Sequence, residues 1–95
     1  MFKRIADLKT DNNIGKNIIL NGWIHRLRKQ KEKTFIILRD DRGDIIQVIY
    51  PSKLCENLTI ESSIEITGVL NKDSRAPEGG YEIKADKVSP YNIAE

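Results

Sequence analysis

The chain has a single cysteine, Cys55. That excludes a disulfide framework within it and any multi-cysteine metal site, and it fits a reducing compartment. The only histidine, His25, has no partner motif, so neither metal ligation nor acid–base catalysis is read from it. No apolar run approaches the roughly 20 residues of a membrane span, and the opening MFKRIADLK lacks the apolar stretch of a secretory signal. Catalytic signatures are missing as well: there is no P-loop, no GxSxG and no HExxH. The acidic residues are spread over turns and strand faces, in no pairing that suggests an acid and a base. These absences lead to the expectation of a soluble, cytoplasmic, non-enzymatic domain with no cofactor, no metal and no membrane partner. The 95 residues suffice for one small domain with a modest core.

Charge is unevenly placed. The net charge is only +2, yet residues 1–40 carry ten Lys/Arg against four Asp/Glu, and residues 41–95 carry six against ten. The basic half culminates in RLRKQKEK at 26–33, where five of eight residues are cationic. A basic half on a nearly neutral chain points one face at an anion, with nucleic acid the commonest large one. On charge alone a merely solvated surface fits equally well.

The apolar pattern has a period of two, the signature of strands. Five such stretches stand out: IILNGWI, TFIILRD, IIQVIY, SIEITGVL and YEIKADKV. The turn DDRGD joins the second to the third, with Gly43 free to take positive φ. Between the third and fourth, Pro51 can open a short helix striped by Leu54, Cys55 and Leu58. NKDSRAPEGG reads as a loop before the fifth. Three strands, a short helix and two strands is the order of an all-β, five-stranded OB-fold, a Greek-key barrel whose usual ligand face is strands 2 and 3 flanked by the 1–2 and 4–5 loops. An SH3-like barrel is the nearest rival. Residues 1–16 are expected as an N-terminal extension and 89–95 as the start of a linker.

Alternation then sorts the faces. If Ile36 and Leu38 point inward, Phe35, Ile37 and Arg39 point outward. Ile46, Val48 and Tyr50 inward leave Gln47 outward, and Glu82 points out of strand 5. Arg26, Arg28, Lys29, Lys31 and Lys33 rim the same surface. Such a surface suits single-stranded nucleic acid: an aromatic ring stacks a base, an amide reads a base edge, a carboxylate accepts from N–H groups, and cations neutralise phosphate. Each residue also has an ordinary reading. Phe35 could fill space beneath the 1–2 loop, and Gln47 and Glu82 could be plain solvent-side residues. Trp23 is assigned to the fold, near the N-terminal segment or the barrel flank, and Cys55 to a buried position.

GWIHRLRKQKEKTFIILRDDRGDIIQVIY resembles the N-terminal anticodon-binding domain of class IIb aminoacyl-tRNA synthetases, the group charging Asp, Asn and Lys. IESS and the RAP-x-G loop are similar to asparaginyl-tRNA synthetases of the archaeal and eukaryotic kind. The resemblance runs from about Asn17 to Val88. It implies an OB-fold that grips the anticodon loop of tRNA, asparagine tRNA first and aspartate tRNA as the close variant. It further implies Phe35 stacking on the middle-position uridine, Gln47 reading its edge, Glu82 helping to read the anticodon and Arg28 making a basic contact. Arg26 and Arg39 match basic positions. Lys29, Lys31 and Lys33 remain phosphate contacts of the rim. The turn DDRGD is one residue longer than the family's pattern, so the outward placement of Gln47 depends on the hairpin tip absorbing it.

A full synthetase of this group carries a catalytic domain that binds ATP and magnesium and forms most of a homodimer. The 95 residues contain none of its motifs, so an excised, monomeric binding domain of such a ligase is expected. A free-standing single-strand binder without base specificity and a protein-interaction OB module are the alternatives.

Overall fold

A computed structural model describes residues 4–55, 58–76 and 80–92, with side chains through Pro90. Pro77 to Gly79 of the RAP-x-G signature and residues 93–95 of the expected linker lie outside it. Five strands form a closed barrel: β1 (Asn17–Lys29), β2 (Lys33–Arg39), β3 (Ile45–Pro51), β4 (Ser63–Lys72) and β5 (Tyr81–Asn92). The order around the barrel is β1-β2-β3-β5-β4. All neighbours are antiparallel except β3 and β5, which are parallel and close the barrel. This is the OB topology, not an SH3-like one. β5 runs to Asn92, so the strand includes residues 89–92 that the linker reading set apart.

Alternation holds along β2, β3 and β4 and along β1 as far as Ile24, and every strand sends apolar side chains inward. Ile18, Leu20 and Ile24 of β1, Ile36 and Leu38 of β2, Ile46 and Val48 of β3, Ile64, Ile66 and Leu70 of β4 and Ile83 of β5 are buried together. Each full burial of a branched aliphatic contributes about 1.5–3 kcal/mol, so the interior set outweighs any single surface pair. Two glycines on inward parity let the walls approach. A Cβ on Gly22 would lie 2.7 Å from the Arg39 carbonyl oxygen, and one on Gly68 would collide with the Lys84 carbonyl oxygen. Gly68 also marks a register shift between β4 and β5, where the barrel wall bends.

The N-terminal segment is more than an extension. A one-turn helix α1 (Ile5–Leu8) buries Ile5 and Leu8 completely in the barrel core. Asp40, almost wholly buried, holds it there: one carboxylate oxygen accepts the Ile5 N–H at 2.8 Å, while the other accepts from Arg42 and Asp44 at 3.0 and 3.1 Å. Asp40 therefore organises the DDRGD tip and tethers α1 at once. Gly43 adopts φ 85° in that tip. Gln47 keeps its outward parity, opposite Ile37.

The expected helix after Pro51 is a single 3-10 turn (Ser52–Leu54). Cys55 and Leu58 are buried, but Leu54 is 54% exposed, so the apolar stripe does not extend to it. A three-residue turn cannot present positions 54, 55 and 58 on one face. Ser52 has a different task. Its N–H donates to the Glu32 carbonyl at 2.9 Å and its hydroxyl to the Gln30 carbonyl at 2.6 Å. With that proton committed, the buried Thr34 hydroxyl donates to Ser52 Oγ at 2.9 Å. The basic 1–2 loop is thus pinned at its base.

Candidate nucleic-acid interface

The outer faces of β1, β2, β3 and β5 line up in rows across the barrel. One row places Arg28 beside Phe35, Phe35 beside Ile49 and Ile49 beside Lys84. The next places Arg26 beside Ile37, Ile37 beside Gln47 and Gln47 beside Glu82. Phe35 is half-buried and faces outward, not into the core. The Arg28 guanidinium carbon lies 4.7 Å from the centre of its ring and Lys33 Nζ 5.3 Å, both within cation–π range. Gln47 Nε2 donates to Glu82 Oε2 at 3.3 Å. Glu82 is only 5% exposed although it lies on the outer parity, because the 4–5 turn and neighbouring cations crowd it.

These residues border two adjoining clefts. One, of about 260 Å³, is lined by Arg28, Lys33, Phe35, Gln47 and Glu82 together with Ile49, Lys84, Asp73 and Arg75. The other, of about 580 Å³, adds Arg26, Leu27, Ile37 and Ile60. The clefts unite five of the six expected anticodon contacts. The sixth, Arg39, stands apart: it pairs with Glu61 at 3.2 Å and borders a depression with Trp23 at the turn end of β2. Trp23 lies on the barrel flank and is 36% exposed. Lys33 leans over Phe35, not outward from the loop, whereas Lys31 lines a separate recess with Glu32, Pro51 and Lys53. Lys29 is exposed at the end of β1. His25 sits at the register shift of β1 against β2, its Nδ1 buried without a hydrogen-bond partner among the described residues.

Sequence alternation does not find Arg75 and Asp73, because they lie in a turn. Arg75 reaches both clefts and is gripped by Asp73. The side-chain and then the backbone N–H groups of Arg75 hold the Asp73 carboxyl down to about 2, and Asp73 in turn raises the guanidinium's pKa. At the edge of the same turn, Asp11 accepts from the Tyr81 hydroxyl at 2.7 Å and from Lys72 at 3.3 Å. Those two bonds, Tyr81 first, lower the Asp11 pKa and raise those of Tyr81 and Lys72. Among the described residues no group of His, Cys, Asp and Glu has metal-site geometry, and no helix is long and apolar enough to cross a membrane.

A five-stranded OB barrel carrying a ring, an amide, a carboxylate and a cationic rim in one groove has the make-up of a nucleic-acid-binding domain. Comparison with known proteins agrees: the family of OB-fold nucleic acid binding domains matches residues 18–91, and the chain belongs to it. It is 42% identical over 99 residues to the cytoplasmic asparagine–tRNA ligase of Debaryomyces hansenii, which covers 97% of this chain and 18% of that protein. It is 38% identical over 96 residues to the aspartate–tRNA(Asp/Asn) ligase of Sulfurisphaera tokodaii, covering 96% of this chain and 22% of that one. Asparaginyl-tRNA synthetase from Pyrococcus horikoshii, complexed with asparaginyl-adenylate, superposes with a TM-score of 0.84 at 25% identity, over 100% of this chain and 23% of that chain. The chain is thus an anticodon-binding OB domain of the asparagine and aspartate tRNA ligase type, spanning about one fifth of the length of these relatives.

Proposed function

We propose that the domain binds the anticodon loop of asparagine tRNA and reads uridine at its middle position, as a module of an asparagine–tRNA ligase. The observation that carries this reading is the Gln47–Glu82 hydrogen bond beside Phe35. Glu82 accepts only, so it draws the amide nitrogen of Gln47 toward itself and turns Gln47 Oε1 away as an acceptor. Uridine offers an N3–H donor to that oxygen. Cytosine offers a bare N3 lone pair, and two acceptors then face each other. Phe35 supplies the plane on which the unstacked base regains about 1–3 kcal/mol. Arg28, Arg26 and the lysines at the rim neutralise the flanking phosphates.

In a full-length ligase of this kind the chemistry with ATP and magnesium falls to the catalytic domain, which also forms most of the homodimer. This domain contributes recognition alone and is monomeric in isolation. A cytoplasmic setting accords with the Debaryomyces hansenii relative, itself a cytoplasmic ligase. The test is fluorescence anisotropy at stated salt with labelled anticodon stem-loops carrying GUU or, at the middle position, cytosine. Tighter binding of GUU is the expected result. Equal binding would leave a general single-strand binder.

A further inference from the structure

Arg75 borders both clefts, and its side chain is 86% exposed. So exposed an arginine samples many rotamers unless something holds it. Asp73 holds it: Nε donates to Oδ1 at 3.1 Å, Nη2 to Oδ2 at 2.8 Å and the Arg75 backbone N–H to Oδ1 at 3.0 Å. Asp73 is itself fixed, since its N–H donates to the Gly80 carbonyl at 2.7 Å and its carbonyl accepts from Ala76 N–H at 2.9 Å. Gly80 has φ 82°, and a Cβ there would press to 3.2 Å from that Asp73 oxygen. The fork consumes one edge of the guanidinium. Nη1 and both planar faces are left unused by Asp73.

We propose that Asp73 and Arg75 form a preset clamp that closes the base slot, so that a nucleobase seated on Phe35 is held between the phenyl ring and the Arg75 guanidinium. The occupant is an unstacked base of a single-stranded RNA loop, and Nη1 is free to bond its adjoining phosphate. The inference rests on the base-reading function proposed above. It makes Arg75 the binding residue and Asp73 a positioning residue. Preorganisation is what the pair adds: an arginine fixed before binding loses less freedom on contact than a mobile one.

The charge arithmetic gives a test that a plain cationic rim fails. Asp73→Asn removes a negative charge beside the groove, so a rim acting by charge alone binds RNA more tightly in this variant. The clamp predicts the opposite, about three- to tenfold weaker binding of the GUU stem-loop, because a neutral amide no longer grips the guanidinium as a carboxylate does. Arg75→Lys keeps the charge but loses the fork and the plane, and is expected to cost about tenfold. Both are measured by anisotropy against the GUU and middle-cytosine loops, with melting temperatures as the fold control. Wild-type preference for GUU with weakening in both variants supports the clamp. Wild-type preference with Asp73→Asn equal or tighter and Arg75→Lys unchanged overturns it and leaves the base reading intact. Absence of any preference in the wild type removes the base reading, and the clamp with it. If Asp73→Asn unfolds, the exposed Arg75→Lys decides the matter alone.

Discussion

Gln47 and Glu82, 35 positions apart in sequence, are direct partners across the parallel β3–β5 pairing, with the amide nitrogen donating to the carboxylate at 3.3 Å. The bond fixes which end of the amide faces the groove. Glu82→Gln gives Gln47 a partner that both donates and accepts, so either amide orientation is served. The expected outcome is a loss of most of the preference for uridine over cytosine at the middle position, with a smaller change in affinity for the GUU loop. Paired titrations of the two stem-loops measure it, and an unchanged preference would show that Glu82 does not orient Gln47.

Phe35 faces the groove with Arg28 over its ring. Phe35→Ala is expected to weaken stem-loop binding by about 1–3 kcal/mol. The melting temperature should fall far less than for a buried core phenylalanine, whose truncation costs about 3–5 kcal/mol. A large drop in melting temperature with unchanged affinity would return Phe35 to a packing role.

Lys31 stands at the tip of a loop whose base is pinned by Ser52 to Gln30 and Glu32. Lys31→Ala should weaken binding of all RNAs alike and reduce the salt slope by about 0.7 for a single-stranded contact. A loss confined to the GUU loop would mean that Lys31 reads sequence.

Asp40 carries three hydrogen bonds to backbone N–H groups from a buried position. Asp40→Ala leaves those donors unpaired and frees α1, so a loss of about 2–4 kcal/mol in unfolding free energy is expected. Urea denaturation measures it. A change below about 0.5 kcal/mol would show that Ile5 and Leu8 hold α1 without the tether.

How much of this was legible depends on the range of the interaction. Parity within a strand is local, and it correctly turned Phe35, Ile37 and Gln47 outward and Ile36, Leu38, Ile46 and Val48 inward. The family resemblance chose among barrels where element order alone left a rival. Asp40 looked like an ordinary turn residue because its partner Ile5 lies 35 positions away. Ser52 looked like part of a helix, since its bonds to Gln30 and Thr34 exist only once β2 and β3 have paired. Arg75 was hidden for a related reason: a turn has no periodicity, so nothing in the spacing shows where its side chain reaches. Leu54 failed because the stripe assumed a full helical turn and the chain makes a tighter one.

The proposed function depends on bases being read on the β2–β3–β5 face. Its most direct test is a two-dimensional NMR titration of the labelled domain with the GUU stem-loop and with the middle-cytosine loop. Base reading on this face is expected to move the Gln47 side-chain amide and the Phe35 ring signals strongly with GUU and weakly with the cytosine loop, while Trp23 on the barrel flank stays in place. Equal shifts with both loops, or shifts centred on Trp23 and Arg39, would contradict it.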